Sequence, residues 1–274
     1  MAKKEIRDLL RAKVSDGRFR LADVDPDSTP GLKGGDKRAL RDVKKQEGPL
    51  FDLHERLYAE HTRSLLVVLQ GMDTAGKDGT ITHVMRSFNP QGVLITPFKQ
   101  PTPAEKRHGF LWRIRRRLPA SGDIGIFNRS HYEDVLIARV HELAPLPVIE
   151  RRYRQINQFE REVVRAHTTI VKICLHISYE EQRKRLTDRL KDPDKHWKFN
   201  ENDIDERAYW DDYQAAYGLA VTRCSTPYAP WYVVPADHKK TRNLLISRVI
   251  ADRLSALKLA YPKAANEVLR LEVK

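Results

Sequence analysis

The chain contains 274 residues, with 50 lysines and arginines against 37 aspartates and glutamates, which gives a formal net charge of +13. This length suits one large α/β domain with a sizeable core, and the positive excess attracts polyanions; a solvated basic surface without a specific partner is the alternative. The two cysteines, Cys174 and Cys224, exclude a disulfide framework, and we expect Cys174 to be a reduced core residue. Because no apolar run reaches the length of a secretory signal or a membrane span, the sequence predicts a cytoplasmic protein without a membrane contact.

The first 48 residues differ in composition from the rest of the chain. A weakly amphipathic pattern near the N-terminus predicts a short helix, and residues 21–40 are rich in Asp, Pro, Gly and Lys. We interpret residues 1–48 as an N-terminal helix and an extended arm that wraps the domain, and residues 49–274 as that domain. Within the domain, apolar residues at helical spacing predict a first helix over residues 49–63.

A glycine-rich stretch follows the first predicted strand. The apolar run over residues 65–70 is typical of a buried parallel strand, and residues 71–77, GMDTAGK, match G-x-x-x-x-G-K, the phosphate-binding loop between a strand and a helix. Glycines allow several N–H groups to converge on one anion, and Lys77 adds a mobile charge. A glycine-rich turn without a ligand is the alternative. The candidate phosphate-binding residues are Thr74, Ala75, Gly76, Lys77, Asp78 and Gly79.

Two carboxylates make this loop unusual. Asp78 occupies the position after the lysine, where Ser or Thr usually ligates magnesium, and Asp73 lies inside the loop. An acid in a phosphate-binding loop repels phosphate unless a metal or a proton lies between them. We therefore interpret Asp73 as a magnesium ligand, as a group that orients a phosphoryl, or as both, and we expect Asp78 to favour the start of the helix.

Strand and helix patterns alternate along the rest of the domain. Further strands are predicted over residues 92–98, 124–127, 169–177 and 231–235. Helices are predicted over residues 103–119, 148–167, 201–223 and 244–259. Five strands that alternate with helices predict a three-layer α/β/α domain with a mostly parallel five-stranded sheet.

Polar residues stand at the end of the strand over residues 124–127, where open α/β sheets bind ligands. This strand normally ends in an aspartate that holds magnesium, but Asn128 occupies the position here, so Asp73, Glu133 and Asp134 are the available acids. Arg129 has the geometry to contact a phosphate bidentately. For Glu133 and Asp134, acids that stabilise the first turn of a helix are the alternative interpretation.

A basic segment follows the strand over residues 169–177. Ser178 is predicted to cap a helix with Glu181 three residues on, and Pro193 interrupts the segment. The segment carries Arg183, Lys184, Arg185, Arg189, Lys191, Lys195 and Lys198. These cations predict either a solvated helix face or a hinged lid, over about residues 178–205, that closes over phosphates.

With these elements in place, the sequence resembles the family-2 polyphosphate kinases. The matching segments are GMDTAGKDGTI at 71–81, TPFKQPTPAEKRHGFLWR at 96–113, FNRSHYEDVL at 127–136, HISYEEQRKRL at 176–186, KHWKF at 195–199 and PWYVVPAD at 230–237. The resemblance implies a P-loop kinase fold with a helical lid, and reversible phosphoryl transfer between inorganic polyphosphate and nucleotides with Mg2+, or Mn2+ in its place. The 127–136 segment is similar to the class that phosphorylates both AMP and ADP. The resemblance to the family also implies a homodimer or homotetramer.

The resemblance also implies roles for individual residues. The catalytic set is Asp73, Lys77, Arg129 and Arg185, with Asp73 and Glu133 as metal ligands. Arg185 and Arg189 resemble lid arginines, Arg189 as a polyphosphate contact, although Arg183 can exchange roles with Arg185 in the alignment. The residues implied at the nucleotide are Lys99, Trp112, Arg113, Asn128 and Arg129.

Two other functions remain as alternatives from the sequence. An ATP-dependent nucleotide kinase shares the predicted fold, although Asp78 in place of Ser or Thr counts mildly against it. A basic nucleic-acid-binding protein fits the net charge, but the chain carries no recognised binding module, and its basic residues flank the phosphate loop. We therefore expect no nucleic-acid partner.

Overall fold

A single parallel sheet organises the protein, which is seen here as a computed structural model that describes residues 5–32 and 35–264. The strands are β1 Ser64–Gly71, β2 Val93–Pro97, β3 Ile124–Asn128, β4 Thr168–His176 and β5 Trp231–Pro235. Their order is β2-β3-β1-β4-β5, and every neighbouring pair is parallel. All five predicted strands are confirmed. Strand β1 is buried along its whole length, as expected for an apolar run inside a parallel sheet, whereas Leu94 and Ile95 of the edge strand β2 are about half exposed.

Helices cover both faces of this sheet. The α-helices of the described residues are α1 Ile6–Leu10, α2 Gly35–Glu60, α3 Lys77–Val84, α4 Pro103–Lys106, α5 Trp112–Arg115, α6 Ile137–Val140, α7 Leu146–Arg165, α8 Tyr179–Lys191, α9 Asn202–Asp205, α10 Trp210–Cys224 and α11 Lys239–Ser255. Helices α2, α3 and α11 pack together in one layer, and α6, α7 and α10 pack together in the other. The predicted three-layer α/β/α class is confirmed, and Cys174 and Cys224 are buried, unpaired thiols.

Helix α2 begins earlier than predicted. It starts at Gly35 rather than near Pro49, and Pro49 lies in its interior. The extension is stabilised by tertiary packing, since Ala39 and Val43 bury their side chains against Leu244 of α11. Residue 48 therefore lies within a helix, and the division of the chain at that point stays a prediction.

The N-terminal segment crosses the edge of the sheet at β5. The Ala12 amide donates to the Trp231 carbonyl at 2.9 Å, and the Phe19 amide donates to the Thr222 hydroxyl at 2.9 Å. Leu10 and Leu21 are buried in the main core. These contacts cover part of an edge strand that would otherwise expose unpaired backbone groups. The arm assigned within residues 1–48 stays a prediction.

Two predicted helices are interrupted in the structure. The segment predicted as one helix over residues 103–119 forms α4 and α5, separated by residues 107–111. A capping box between Thr102 and Glu105 fixes the start of α4, and the glycine at 109 weakens helical continuity. The segment over residues 201–223 likewise divides into α9, a 3-10 turn and α10.

Within the described ranges, no helix combines the length and the apolar character that crossing a membrane requires.

Candidate active site

The loop between β1 and α3 has the geometry predicted for it. Strand β1 ends at Gly71, α3 begins at Lys77, and Gly76 between them has a left-handed backbone with φ of 106°. A Cβ atom on Gly76 would lie 1.8 Å from Nη1 of Arg242, so only glycine fits there. The loop therefore leads into the N-terminus of a helix, where the helix dipole favours anions.

Lys77 folds back over the first turn of this loop. Its Nζ donates to the carbonyl oxygens of Gly71 at 2.7 Å and Met72 at 3.2 Å. Burial lowers the pKa of its ammonium, and the charge of Asp73 opposes that shift. The ammonium is thus held at the loop on a four-carbon stem, from which it can turn to an incoming phosphate.

Asp73, Arg129 and Glu133 meet beside the loop. Nη2 of Arg129 lies 2.8 Å from Oδ1 of Asp73, and its Nη1 lies 3.8 Å from Oε2 of Glu133. Burial disfavours the charge on Arg129, but the two carboxylates outweigh it and raise the pKa of the guanidinium. Oε1 of Glu133 also accepts from the Gln70 amide at 2.9 Å. The structure therefore brings together three residues that were predicted separately.

Asn128 at the end of β3 contacts the helix that follows the loop. Its Nδ2 donates to Oδ1 of Asp78 at 2.8 Å. This bond links the end of β3 to the first turn of α3, where an acid is also favoured by the helix dipole. Asp78 therefore has a local structural reason to stand where Ser or Thr is usual.

Of the residues predicted at the nucleotide, Lys99 follows the end of β2, where Pro97 pairs with Asn128, and Trp112 and Arg113 lie on α5. Arg113 is buried, and its Nη1 donates to the Lys99 carbonyl at 2.7 Å, whereas the side chain of Lys99 is exposed. Trp112 is half-exposed and stacks on His108 with the ring centroids 4.1 Å apart. Arg113 thus supports the backbone at Lys99, and one face of the Trp112 ring is already covered.

Arg185 lies behind the loop rather than over it. Its Nη1 donates to the carbonyls of Thr74 at 2.9 Å and Ala75 at 3.3 Å, and its Nη2 donates to those of Ala236 and Asp237 at 2.7 and 2.8 Å. The side chain is 6% exposed because the first turns of α8 pack directly on the loop. This position differs from the predicted lid cation that faces the phosphates, since the donors of Arg185 are already used within the protein.

The segment predicted as a lid, over about residues 178–205, contains α8 and α9. Nη1 of Arg189 lies 3.3 Å from Oδ2 of Asp203 and thereby connects α8 to α9. Burial, and after it the negative charge of Asp73, raise the pKa of Asp203. The ion pair of Arg189 lies within the segment predicted as a lid, and a contact of Arg189 with a phosphate stays a prediction.

Sequence reasoning missed three side chains that contact the site. Gln70 donates to Glu133, Gln182 donates to the Asp73 carbonyl at 3.1 Å, and Arg242 donates to the Ala75 carbonyl at 3.2 Å. A polar side chain inside an apolar strand was a usable signal for Gln70, and the spacing of three residues between Gln182 and Arg185 places both on one helix face. Arg242 follows two lysines and a threonine, and no pattern in that sequence indicates a contact with the loop.

The chain also matches known proteins in sequence and in structure. The sequence model of the family described as "Polyphosphate kinase 2 (PPK2)" matches residues 34–262. A Meiothermus ruber protein named AMP/ADP-polyphosphate phosphotransferase is 46% identical over 259 residues, which is 94% of this chain and 97% of that protein. A Rhodopseudomonas palustris protein named ADP-polyphosphate phosphotransferase is 44% identical over 233 residues, or 81% of each chain. The crystal structure of polyphosphate kinase 2 from Arthrobacter aurescens TC1 superposes with a TM-score of 0.92 at 47% identity, over 98% of this chain and 94% of that one.

Proposed function

Because the chain belongs to the polyphosphate kinase 2 family, we propose that it transfers phosphoryl groups reversibly from inorganic polyphosphate to AMP and ADP, which become ADP and ATP. The observation that carries this proposal is the cluster of Asp73, Arg129 and Glu133 beside a loop that leads into the N-terminus of α3 at Lys77. The names of the relatives in Meiothermus ruber and Rhodopseudomonas palustris support AMP and ADP as acceptors.

The proposed reaction depends on positioning and on charge neutralisation. A terminal phosphate oxygen of AMP or ADP attacks the last phosphorus of the polyphosphate chain, in line with the bridging P–O bond that breaks, and the shortened chain leaves as an anion. Because the attacking oxygen is already anionic, no strong general base is required. The N–H groups of the loop, Lys77 and Arg129 are proposed to surround the transferred group and to bind it most strongly in the transition state.

Asp73 and Glu133 are suited to bind a divalent cation that enters the site together with the phosphates of the substrate. Among the residues that the structure describes, no group of three or more His, Cys, Asp or Glu side chains forms a metal site. Mg2+ in phosphoryl-transfer sites is usually held by one or two carboxylates together with substrate phosphates, and Asp73 and Glu133 supply two. We propose these residues as the ligands of Mg2+, or of Mn2+ in its place. When bound, the ion would neutralise phosphate oxygens during transfer.

Replacing Asp73 with asparagine tests this assignment. We expect kcat/KM for polyphosphate to fall by about 100-fold or more, because a charged group in the site is lost. The Mg2+ concentration for half-maximal activity should rise as well. Asp42→Asn is the matched control and should keep normal activity. Asp42 lies on α2 and pairs with Arg248 of α11. An Asp73→Asn variant with normal turnover and normal Mg2+ dependence would contradict the metal role.

The remaining substrate contacts are proposed from position and resemblance. The exposed Lys99 side chain, with Asn128 and Arg129, is proposed to meet the acceptor nucleotide, in a pocket shaped by Trp112 and Arg113. Arg189 is proposed to contact the polyphosphate chain as the lid closes. The resemblance further supports a homodimer or homotetramer that acts in the cytoplasm, and light scattering of the purified protein measures the oligomer directly.

A time course separates this function from its alternatives. The protein is incubated with polyphosphate, Mg2+ and AMP, while ADP and ATP are measured separately. We expect ADP first and ATP afterwards. ADP alone would remove the dual-acceptor claim, and phosphorylation of AMP with ATP but not with polyphosphate as donor would instead indicate an ATP-dependent nucleotide kinase. Tight, salt-dependent DNA binding without phosphoryl transfer would indicate a nucleic-acid-binding protein.

A further inference from the structure

Arg242 is a buried cation at the back of the phosphate loop. It lies in the first turn of α11 and is 2% exposed. Its Nη1 donates to the Ala75 carbonyl at 3.2 Å, while Nε and Nη2 donate to Oδ1 of Asn243 at 3.1 and 2.8 Å. Within residues 5–32 and 35–264, Arg242 forms no ion pair with a carboxylate. A buried guanidinium without a carboxylate is unusual, because burying an unpaired charge costs free energy.

Arg242 belongs to a set of three side chains that bind successive carbonyls of the loop. Gln182, Arg185 and Arg242, here called the carbonyl clamp, together bind the carbonyl oxygens of residues 73–75. In a trans peptide the C=O and the following N–H point in opposite directions, and the described chain has no cis peptide. With its carbonyls turned toward the clamp, the loop turns the N–H groups of Thr74 and Gly76 toward the other side, while the Ala75 N–H donates to the Met72 carbonyl at 3.1 Å.

The charges of the clamp are only partly balanced within the protein. Nε of Arg185 lies 2.8 Å from Oε1 of Glu181, whereas Arg242 has only the neutral Asn243 and the Ala75 carbonyl. Arg185 and Arg242 donate to the same oxygen of Ala75, so two guanidinium groups lie close together. Burial and the neighbouring charge of Arg185 lower the pKa of Arg242. An anion on the opposite side of the loop would therefore balance a charge that the protein leaves uncompensated.

We infer that Arg242 is a positioning residue for phosphoryl transfer: it orients the phosphate loop through the Ala75 carbonyl, and its charge is balanced by the polyphosphate that the loop binds. This inference rests on the proposed function. The Arg242 side chain contributes in two ways, through the planar geometry of its guanidinium and through its positive charge. Substitutions can remove these two contributions separately.

Two substitutions at Arg242 separate these contributions. Arg242→Lys keeps the charge but loses the planar fork, so kcat should fall by about tenfold or more, while KM for polyphosphate changes little. Arg242→Gln loses the charge as well, so KM for polyphosphate should also rise by about tenfold, and the dependence of KM on salt should weaken. Direct binding of polyphosphate without nucleotide, measured by calorimetry, should show the same loss for Arg242→Gln only. Arg248→Lys and Arg248→Gln, on the same helix but paired with Asp42, are matched controls that should match the wild type.

Gly79 provides a second probe that does not alter Arg242 itself. A Cβ atom on Gly79 would lie 3.2 Å from Nη2 of Arg242, which is a tight contact, and alanine is otherwise preferred in a helix such as α3. Gly79→Ala should therefore unfold at the same or a higher temperature, yet lower kcat by about threefold or more through displacement of the guanidinium. In an Arg242→Lys background, which removes Nη2, Gly79→Ala should cause little additional loss, because interacting sites are not additive.

The outcomes distinguish this inference from the proposed function. If the wild-type protein fails to transfer phosphate from polyphosphate, the proposed function is wrong. If the wild-type protein is active but both Arg242 variants keep kcat and KM near normal, or if the Arg248 controls lose as much, the inference is wrong. If Arg242→Gln does not fold, the Gly79→Ala pair decides: an equal loss of kcat in both backgrounds would overturn the inference, and a loss confined to the wild-type background would support it.

Discussion

Replacing Lys77 with alanine should lower kcat for polyphosphate-dependent phosphorylation of AMP by about 100- to 1,000-fold. The ammonium is held at the start of the loop by the carbonyls of Gly71 and Met72, on a stem that can reach a bound phosphate. Alanine removes a positive charge from the place where negative charge develops during transfer. Because Lys77 is not part of the apolar core, the fold should persist, and steady-state kinetics together with circular dichroism will measure both effects.

A matched lysine elsewhere controls for a general loss of positive charge. Lys106 at the end of α4 is an exposed residue in the basic segment before α5, and Lys106→Ala should retain normal kcat. Near-normal turnover in Lys77→Ala would remove the loop from the proposed mechanism. Loss of turnover together with loss of the helical signal would instead show that Lys77 is needed for folding, which would contradict its assignment as a catalytic residue.

Replacing Lys172 with methionine should lower the free energy of unfolding by about 3–5 kcal/mol. Lys172 is fully buried in β4, and its Nζ donates to Oε2 of Glu160 at 2.6 Å, to the Tyr132 hydroxyl at 2.8 Å and to the Cys224 carbonyl at 2.7 Å. Methionine would leave the Glu160 carboxylate buried without its cation. Urea unfolding of both proteins measures the difference, and Lys184→Met, at an exposed position on α8, is the control.

Two further measurements show whether the charge of Glu160 causes this loss. Replacing the whole pair, as Lys172→Met with Glu160→Leu, should recover much of the lost stability, because an apolar replacement of both partners leaves no unpaired charge. Urea unfolding of the double variant measures this recovery. An equal or larger loss in the double variant would mean that packing, rather than the uncompensated carboxylate, explains the effect of Lys172→Met.

The contribution of Glu160 to the pH dependence of the free energy of unfolding should have opposite signs in the wild type and in Lys172→Met. Burial alone would raise the pKa of Glu160, but Lys172 and His131 outweigh burial and lower it, so in the wild type the contribution of Glu160 is present at neutral pH and is lost in acid. Without Lys172, burial dominates and the pKa rises, so the native state takes up a proton as the pH falls. The stability deficit of Lys172→Met should therefore shrink as the pH falls from alkaline to acidic.

The strands could be predicted from the sequence, whereas several helix boundaries could not. The run over residues 65–69 is apolar throughout, and burial on both faces of a parallel sheet accommodates it. The start of α2 depends instead on contacts between Ala39, Val43 and Leu244, which are distant in sequence. Local signals at Pro49 were therefore overridden by tertiary packing.

The same distinction holds for the site. Asp73, Arg129 and Glu133 could be predicted to converge because the carboxyl ends of neighbouring parallel strands meet at one edge of the sheet. The orientation of arginines along α8 could not, since it depends on the rotation of that helix against the loop. Arg183 pairs with Glu180 in solvent, while Arg185, two residues further, is buried behind the loop.

The cluster around Arg129 also determines the electrostatic state of the resting site. The charges of Asp73 and Glu133 are matched by those of Arg129 and Lys77, so these four side chains together carry no net charge. Within this cluster, an approaching polyanion therefore meets no carboxylate without a cation, although Asp78 nearby pairs with the neutral Asn128. The long-range attraction of the polyanion comes from the overall charge of +13. A divalent cation that enters with the substrate would give these carboxylates a second cationic partner beside Arg129 and would offset part of the negative charge of the phosphates.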